Sequence, residues 1–208
     1  PLARLVAMNP QVKLPFKRYQ IGKNFRDGPL KPGRYREFTQ CDVDIVGVSS
    51  VKADAELANI AVAVFKELKI PAVVKMNNRK VLDAILEEAG VKKSQWVSVI
   101  LTIDKLAKLG LASVKKELQA KGVDAKAIAK VIKLISIKGS NKEKVKVLKT
   151  ALKNQEGIKE VEELLAFAPR VEFDCSLARG LVYYTGFVME AFALKSKISS
   201  SIGGGGRY

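Results

Sequence analysis

Apolar and polar positions along the chain follow two different periods, and the change from one to the other divides it into three stretches. Residues 2–9 read as the end of a helix stopped at Asn9-Pro10. Residues 14–25 and 34–46 read as two strands around a Gly/Pro-rich loop, an antiparallel pair by their closeness in sequence. Helical spacing of Leu57, Ile60, Ala61, Val64, Phe65 and Leu68 predicts a helix over 54–68. A short strand at 72–76 and a helix over 79–88, closed by Gly90, follow. From about Ser94 to Phe167 the strand signals vanish, and short amphipathic helices succeed one another between Gly110, Gly122, Gly139-Ser140 and Gly157. Past Pro169 strand patterns return at 171–175, 182–194 and 196–202. A sheet that is interrupted by a helical block and then resumes is an α+β arrangement with an all-helical insertion. The predicted divisions are 1–93, 94–168 and 169–208, with no internal repeat.

One strand carries more polar chemistry than a structural sheet needs. Side chains alternate along a strand, so Arg36, Phe38, Gln40, Asp42 and Asp44 share one face. Tyr35, Cys41, Val43 and Ile45 supply the apolar face opposite. The loop before it bears Arg26, Lys31, Arg34 and Arg36, and guanidinium groups suit bidentate contact with phosphate. Together these offer cations for phosphates, an aromatic for a base, and an amide with carboxylates for an ammonium group. The loop is neither a P-loop nor a dinucleotide fingerprint, since it lacks the glycine spacing of both.

Two later constellations join it. In 177–186, Arg179 precedes a glycine and an apolar run that carries the adjacent Tyr183 and Tyr184. A partly buried arginine needs a carboxylate, phosphate or ligand partner. In a regular strand the two tyrosines would face opposite ways. Gly203 to Gly206 with Arg207 reads, on composition alone, as a flexible tail.

Charge and composition narrow the partners. The chain of 208 residues has a formal charge of +16, which favours polyanions such as nucleic acid or nucleotides. It has no histidine, which removes His-based nucleophilic chemistry and most zinc sites. Cys41 and Cys175 are too few for a disulfide framework, so a reducing, cytoplasmic setting is expected. No apolar run approaches the roughly 18 residues of a membrane helix, and no membrane partner is expected.

The motifs, taken in order, resemble those of histidyl-tRNA synthetase, a class II aminoacyl-tRNA synthetase. Phe25-Arg26, Gly33 to Phe38 and Gln40 to Asp44 look like class II motif 2. The segment from Arg179 to Tyr184 looks like the first histidine-specific motif, and Gly203 to Tyr208 like the start of the second. Asn77-Asn78-Arg79 and Thr102 to Leu106 also match the pattern between them. The resemblance implies a class II antiparallel sheet and a two-step reaction. Histidine is first activated with ATP and Mg2+ to histidyl-adenylate, and the acyl group then passes to tRNA(His). It implies Arg26 at the α-phosphate, Arg34 near the β- and γ-phosphates, and Phe38 on adenine. Gln40 and Asp44 would face the substrate amine, and Arg179 would take the charge on the α-phosphate and carboxylate. Tyr183 and Tyr184 would lie at the imidazole, with Gly204, Gly205 and Gly206 in the pocket wall. Lys142, Lys146 and Lys149 in the helical block would approach tRNA phosphates. Motif 1, motif 3 and the anticodon-binding domain fall outside 1–208, so the chain is expected to be an internal fragment of a homodimeric enzyme, weak or inactive alone. Gly28 stands where many relatives carry an acidic residue. The rival is a non-catalytic relative that regulates or binds tRNA; such relatives tend to lose the Arg179 pattern, which is intact here.

Overall fold

The computed structural model describes residues 2–30, 32–180, 183–198 and 200–208. Lys31, Leu181, Val182 and Ser199, named or spanned by the expectations above, lie outside the described residues, as does Pro1. The chain forms two compact units, Pro1–Ala53 and Asp54–Tyr208.

In the first unit, α1 (Leu2–Met8) precedes a hairpin of β1 (Phe16–Phe25) and β2 (Glu37–Val46). The strands pair antiparallel from Phe16 opposite Val46 to Phe25 opposite Glu37. Both start later than the sequence suggested. Pro15 has no N–H to give a ladder, and Arg34 to Arg36 belong to the turn, which the Arg26 N–H closes on the Arg36 carbonyl at 2.9 Å. Residues directly opposite one another share a face, so Arg18, Gln20, Gly22 and Asn24 stand beside Asp44, Asp42, Gln40 and Phe38. The other face is apolar as predicted but builds no core, with Tyr19 78% and Ile21 65% exposed and Cys41 exposed beside them. A two-stranded sheet has no second layer of its own to cover such a face.

The second unit is a mixed sheet with helices. After α2 (Val51–Glu67) come β3 (Ala72–Asn78) and α3 (Arg79–Glu88). A 3-10 turn, Lys93–Gln95, opens an uninterrupted helical run: α4 (Trp96–Ile103), α5 (Leu106–Ala120), α6 (Ala125–Ile135), α7 (Asn141–Ala151) and α8 (Glu156–Phe167). Caps set several of these starts. Asn78 accepts from the Lys80 N–H, Asp124 from Lys126 and Ala127, and Ser140 with Glu143 forms a capping box. The break predicted at Gly110 is a kink within α5, where φ is 74° and ψ 167°. Helix α3 is the post of the unit. Its Val81, Leu82, Ile85 and Leu86 are buried, and α4, α6 and α8 all pack against it.

The sheet order is β4–β3–β5–β6, with β4 (Glu172–Phe173), β5 (Phe187–Ala193) and β6 (Gly203–Gly206). β4 lies parallel to β3, while β5 runs antiparallel to both β3 and β6. Phe173, Phe187 and Met76 are fully buried between the sheet and the helices. Three expectations change here. The strand expected over 171–175 shrinks to two residues, and the one over 182–194 begins at Phe187. The last strand is the glycine run itself rather than 196–202. Residues 183–186 fall outside the strand, although the Gly186 carbonyl still accepts from the Arg79 N–H at 2.8 Å and the Thr185 N–H donates to the Arg207 carbonyl at 2.9 Å.

Candidate functional site

The polar face of the hairpin is wired together by its own side chains. The Arg26 guanidinium lies over the Phe38 ring, 4.2 Å from its centroid, so these two predicted residues meet. A planar base on Phe38 must therefore use the other ring face or displace Arg26. Gln40 donates to Asp42 at 2.7 Å along the same strand face. Asp44 is bound by Arg18 of the facing strand, with Nε 2.8 Å and Nη2 2.7 Å from one carboxylate oxygen. Arg18 escaped the sequence reading, although the register alone would have placed it opposite Asp44. Arg34 and Arg36 are exposed in the loop, and Arg36 reaches the Gly28 carbonyl at 3.4 Å and Asp27 at 3.9 Å. One guanidinium on a half-buried aromatic, with two more in the adjoining loop, is a donor set suited to a nucleotide: phosphates for the cations, a base for the ring.

Arg179 is held at the other constellation by a bracketed loop. The buried Asn77 donates to the carbonyls of Cys175, at 3.2 Å, and Leu177, at 2.9 Å, fixing the chain just before Arg179. The Arg79 N–H holds Gly186 just after it. Both anchors come from the Asn77-Asn78-Arg79 segment at the β3–α3 junction, whose role the sequence did not reveal. Lower in the loop, Asp174 receives Lys75 at 2.9 Å and the Ser176 hydroxyl at 2.6 Å. Burial pushes the Asp174 carboxyl up, but Ser176 and Lys75 outweigh it and hold the group below the ordinary aspartate value.

The arginine's surroundings explain the glycines. Arg179 reaches the Met189 carbonyl at 3.4 Å and Glu190 at 3.9 Å, and lies over the Tyr184 ring at 5.5 Å. A Cβ on Gly204 would fall on its guanidinium and 3.0 Å from the Met189 carbonyl. A Cβ on Gly206 would meet the Tyr184 ring at 2.8 Å and the Phe187 carbonyl at 2.6 Å. Gly205 faces the other way, with only ordinary contact to Met189 at 3.6 Å. The glycine run is thus an edge strand kept bare where Arg179 and Tyr184 lie on it, not the flexible tail that composition suggested.

The tyrosines also depart from expectation. They stand in an irregular turn rather than a strand, and their rings touch with centroids 4.7 Å apart. Tyr184 is buried while Tyr183 is 54% exposed. Burial pushes the Tyr184 hydroxyl up to about 12 despite the nearby Arg179. Glu190 is also held above the usual glutamate value, by burial first, against the pull of Arg179. Behind the strand, Arg207 binds the buried Asp54 at 2.9 and 3.2 Å and ties the end of β6 to the first turn of α2. That pair was invisible in the sequence, because 153 residues separate its members.

The predicted lysines fall on α7. Lys142, Lys146 and Lys149 recur at helical spacing on its exposed side, while Lys144, Val145 and Leu148 are buried. Lys149 is engaged by Glu162 at 2.6 Å. Lys144 serves the fold instead, donating to the Phe173 carbonyl at 2.6 Å. No described helix is long and apolar enough to cross a membrane.

The chain is similar to known proteins along its whole length. A family model described as Histidyl-tRNA synthetase matches residues 1–208. Histidine--tRNA ligase 2 of Shouchella clausii is 43% identical over 216 residues, covering 100% of this chain and 51% of that protein. The crystal structure of histidyl-tRNA synthetase from Nostoc sp. matches with a TM-score of 0.87 at 32% identity, over 100% of this chain and 51% of its own. An ATP phosphoribosyltransferase regulatory subunit/histidyl-tRNA synthetase from Bacillus halodurans gives a TM-score of 0.83 over 100% of this chain and 55% of its own. At 19% identity that likeness is one of fold alone. The chain spans about half the length of the relatives it matches.

Proposed function

The chain belongs to the histidyl-tRNA synthetase family, and from that premise we propose that it supplies half of the histidine-activating machinery of an ATP-dependent histidine–tRNA ligase. In the first step a carboxylate oxygen of histidine attacks the α-phosphorus of ATP. The bond from that phosphorus to the bridging oxygen breaks, and pyrophosphate leaves with the charge. In the second step the 3′ end of tRNA(His) takes the acyl group and AMP departs. Such an in-line displacement asks the protein for positioning and charge stabilisation rather than for a titrating base. A chain without histidine can do this with arginines.

Arg26 takes the α-phosphate and Arg34 the β- and γ-phosphates, while Phe38 stacks the adenine. Mg2+ bound with ATP would offset the remaining phosphate charge. Asp44 and Gln40 form the acceptor face for the substrate amine, with Arg18 holding the Asp44 carboxylate in a single orientation. Arg179 meets the charge that builds on the carboxylate and α-phosphate. Tyr183, Tyr184, Gly204 and Gly205 border the imidazole. Lys142, Lys146 and Lys149 guide the tRNA through its phosphates, and the full-length protein works as a homodimer. The helical stretch 94–168 is read as the insertion that carries these lysines.

The observation that supports this reading best is the seating of Arg179. Its loop is pinned at both ends by Asn77 and Arg79, and its guanidinium lies on a strand whose glycines leave room for it. A purely regulatory role is compatible with the fold, which is shared with the structure described as an ATP phosphoribosyltransferase regulatory subunit/histidyl-tRNA synthetase, but it gives no reason for an arginine held in this way. Arg179→Ala in the full-length protein is expected to lower histidine-dependent ATP–pyrophosphate exchange at least about a hundredfold, the scale of losing a preorganised oxyanion donor. Exchange near the wild-type rate would contradict the assignment.

A further inference from the structure

Arg179 has a carboxylate on more than one side, and one of them comes from the helical block. Asp104 closes the C-terminus of α4, its N–H bonded to the Ile100 carbonyl at 2.9 Å, where the chain turns into α5. Its side chain meets the Arg179–Gly180 loop directly. A Cβ on Gly180 would stand 2.9 Å from the Asp104 Oδ2, so a side chain there would push the carboxylate from its place. The carboxylate thus lies against the Gly180 backbone, in the field of Arg179 and of Lys108 one turn further along α5. Burial pushes the Asp104 carboxyl above the ordinary aspartate value, against the pull of both cations. Glu190 of β5 lies 3.9 Å from the same guanidinium.

We infer that Asp104 is a positioning residue for Arg179: it pins the Arg179–Gly180 backbone to the α4–α5 junction, so that the placement of the arginine depends on the helical block. The inference rests on the reading of Arg179 given above and extends it to a residue that touches no substrate. It follows from three facts. The loop is anchored by β3 and α3 at its ends but by Asp104 beside the arginine itself. The carboxylate lies against the Gly180 backbone with the Arg179 cation near it, so its placement constrains both. Asp104 also sits at a junction between helices, so a shift of the block moves the carboxylate and the loop together.

The test uses the full-length protein and histidine-dependent ATP–pyrophosphate exchange, with wild type, Asp104→Asn, Arg179→Lys and the double variant. Asparagine keeps the size but removes the charge. The expected result is a kcat about tenfold lower for Asp104→Asn, with the KM for histidine changed less than about threefold, since a misplaced arginine weakens the transition state more than binding. In the Arg179→Lys background the same change should cost nothing more, because residues that act as a unit are not additive. Gly180→Ala drives a methyl onto the carboxylate without altering any charge, and should reproduce the kcat loss even if Asp104→Asn folds poorly. Asp104→Asn and Gly180→Ala both within twofold of wild type, or losses that multiply in the double variant, overturn the inference and leave the function standing. Absence of exchange in the wild type overturns the function, and this inference with it.

Discussion

Asp174 shows how single residues hold the site in this protein. It takes hydrogen bonds from Lys75 and Ser176, and its N–H reaches the Met76 carbonyl at 2.9 Å, so it fastens the approach to Arg179 onto β3. Because its carboxyl is held below the ordinary value in the fold, the charged form stabilises the native state. That contribution is full above the unfolded value near 3.8 and is lost as pH falls through the folded value. Lys75 is shifted up, so its share is present at neutral pH and lost only as pH rises past its folded value. Asp174→Asn should thus lower stability at pH 7 by about 1–3 kcal/mol, the range for a hydrogen bond to a charged group. Urea denaturation checks it. The gap from wild type should close as pH falls below 3.8, and a gap that persists there would contradict the pairing. None of this could be read from the sequence, since Lys75 and Asp174 are 99 residues apart. Local cues were legible: Arg26, Phe38 and Arg179 stand out by residue type and spacing. Their partners Arg18, Glu190 and Asp104 depended on register and on long-range packing.

Among the elements, the glycine strand separates what pattern reveals from what it hides. Helix α3 was legible as 79–88 closed by Gly90, because a glycine stop is a local signal, and the structure adds the Asn78 cap. β6 was not, because four glycines carry no alternation at all. It forms because β5 offers an edge and because Arg179 and Tyr184 occupy the space that side chains would fill. The register makes neighbouring glycines unequal. Gly206→Ala should cost about 1–3 kcal/mol as the methyl meets the Phe187 carbonyl and the Tyr184 ring. Gly205→Ala should stay within about 0.5 kcal/mol of wild type, as its Cβ finds ordinary contact. Thermal melts of the two variants decide it, and equal losses would mean that the strand does not bind in this register. The same logic explains the tyrosines. A period-2 reading assumed a regular strand through 183 and 184, but the strand begins at Phe187 and both tyrosines stand in the turn before it.

For the molecule as a whole, the charge of +16 is the property that sequence conveys most directly. It says that a polyanion is favoured but not where one binds. Structure sorts the lysines: Lys144 is buried under β4, Lys149 is shared with Glu162, and Lys142 and Lys146 stand exposed on α7. Reversing Lys142, Lys146 and Lys149 to glutamate in the full-length protein should weaken tRNA binding. It should also flatten the plot of log affinity against log salt by roughly 0.7–0.9 for each phosphate that the variant no longer neutralises. An unchanged slope would make these lysines a solvated face and nothing more. The α+β class and the helical run between the two parts of the sheet pattern were legible because periodicity survives over long stretches. What the sequence could not convey is how the loop that carries Arg179 is placed, with Asn77 of β3 donating to the carbonyls of Cys175 and Leu177 and Asp104 of the helical run lying beside Gly180. The central claim is that Arg179, seated on bare glycine backbone, carries the charge of histidine activation. Histidine-dependent ATP–pyrophosphate exchange in the full-length protein, wild type against Arg179→Ala, tests it most directly. The account predicts robust exchange that falls at least about a hundredfold in the variant; exchange that survives the loss of the arginine would contradict it.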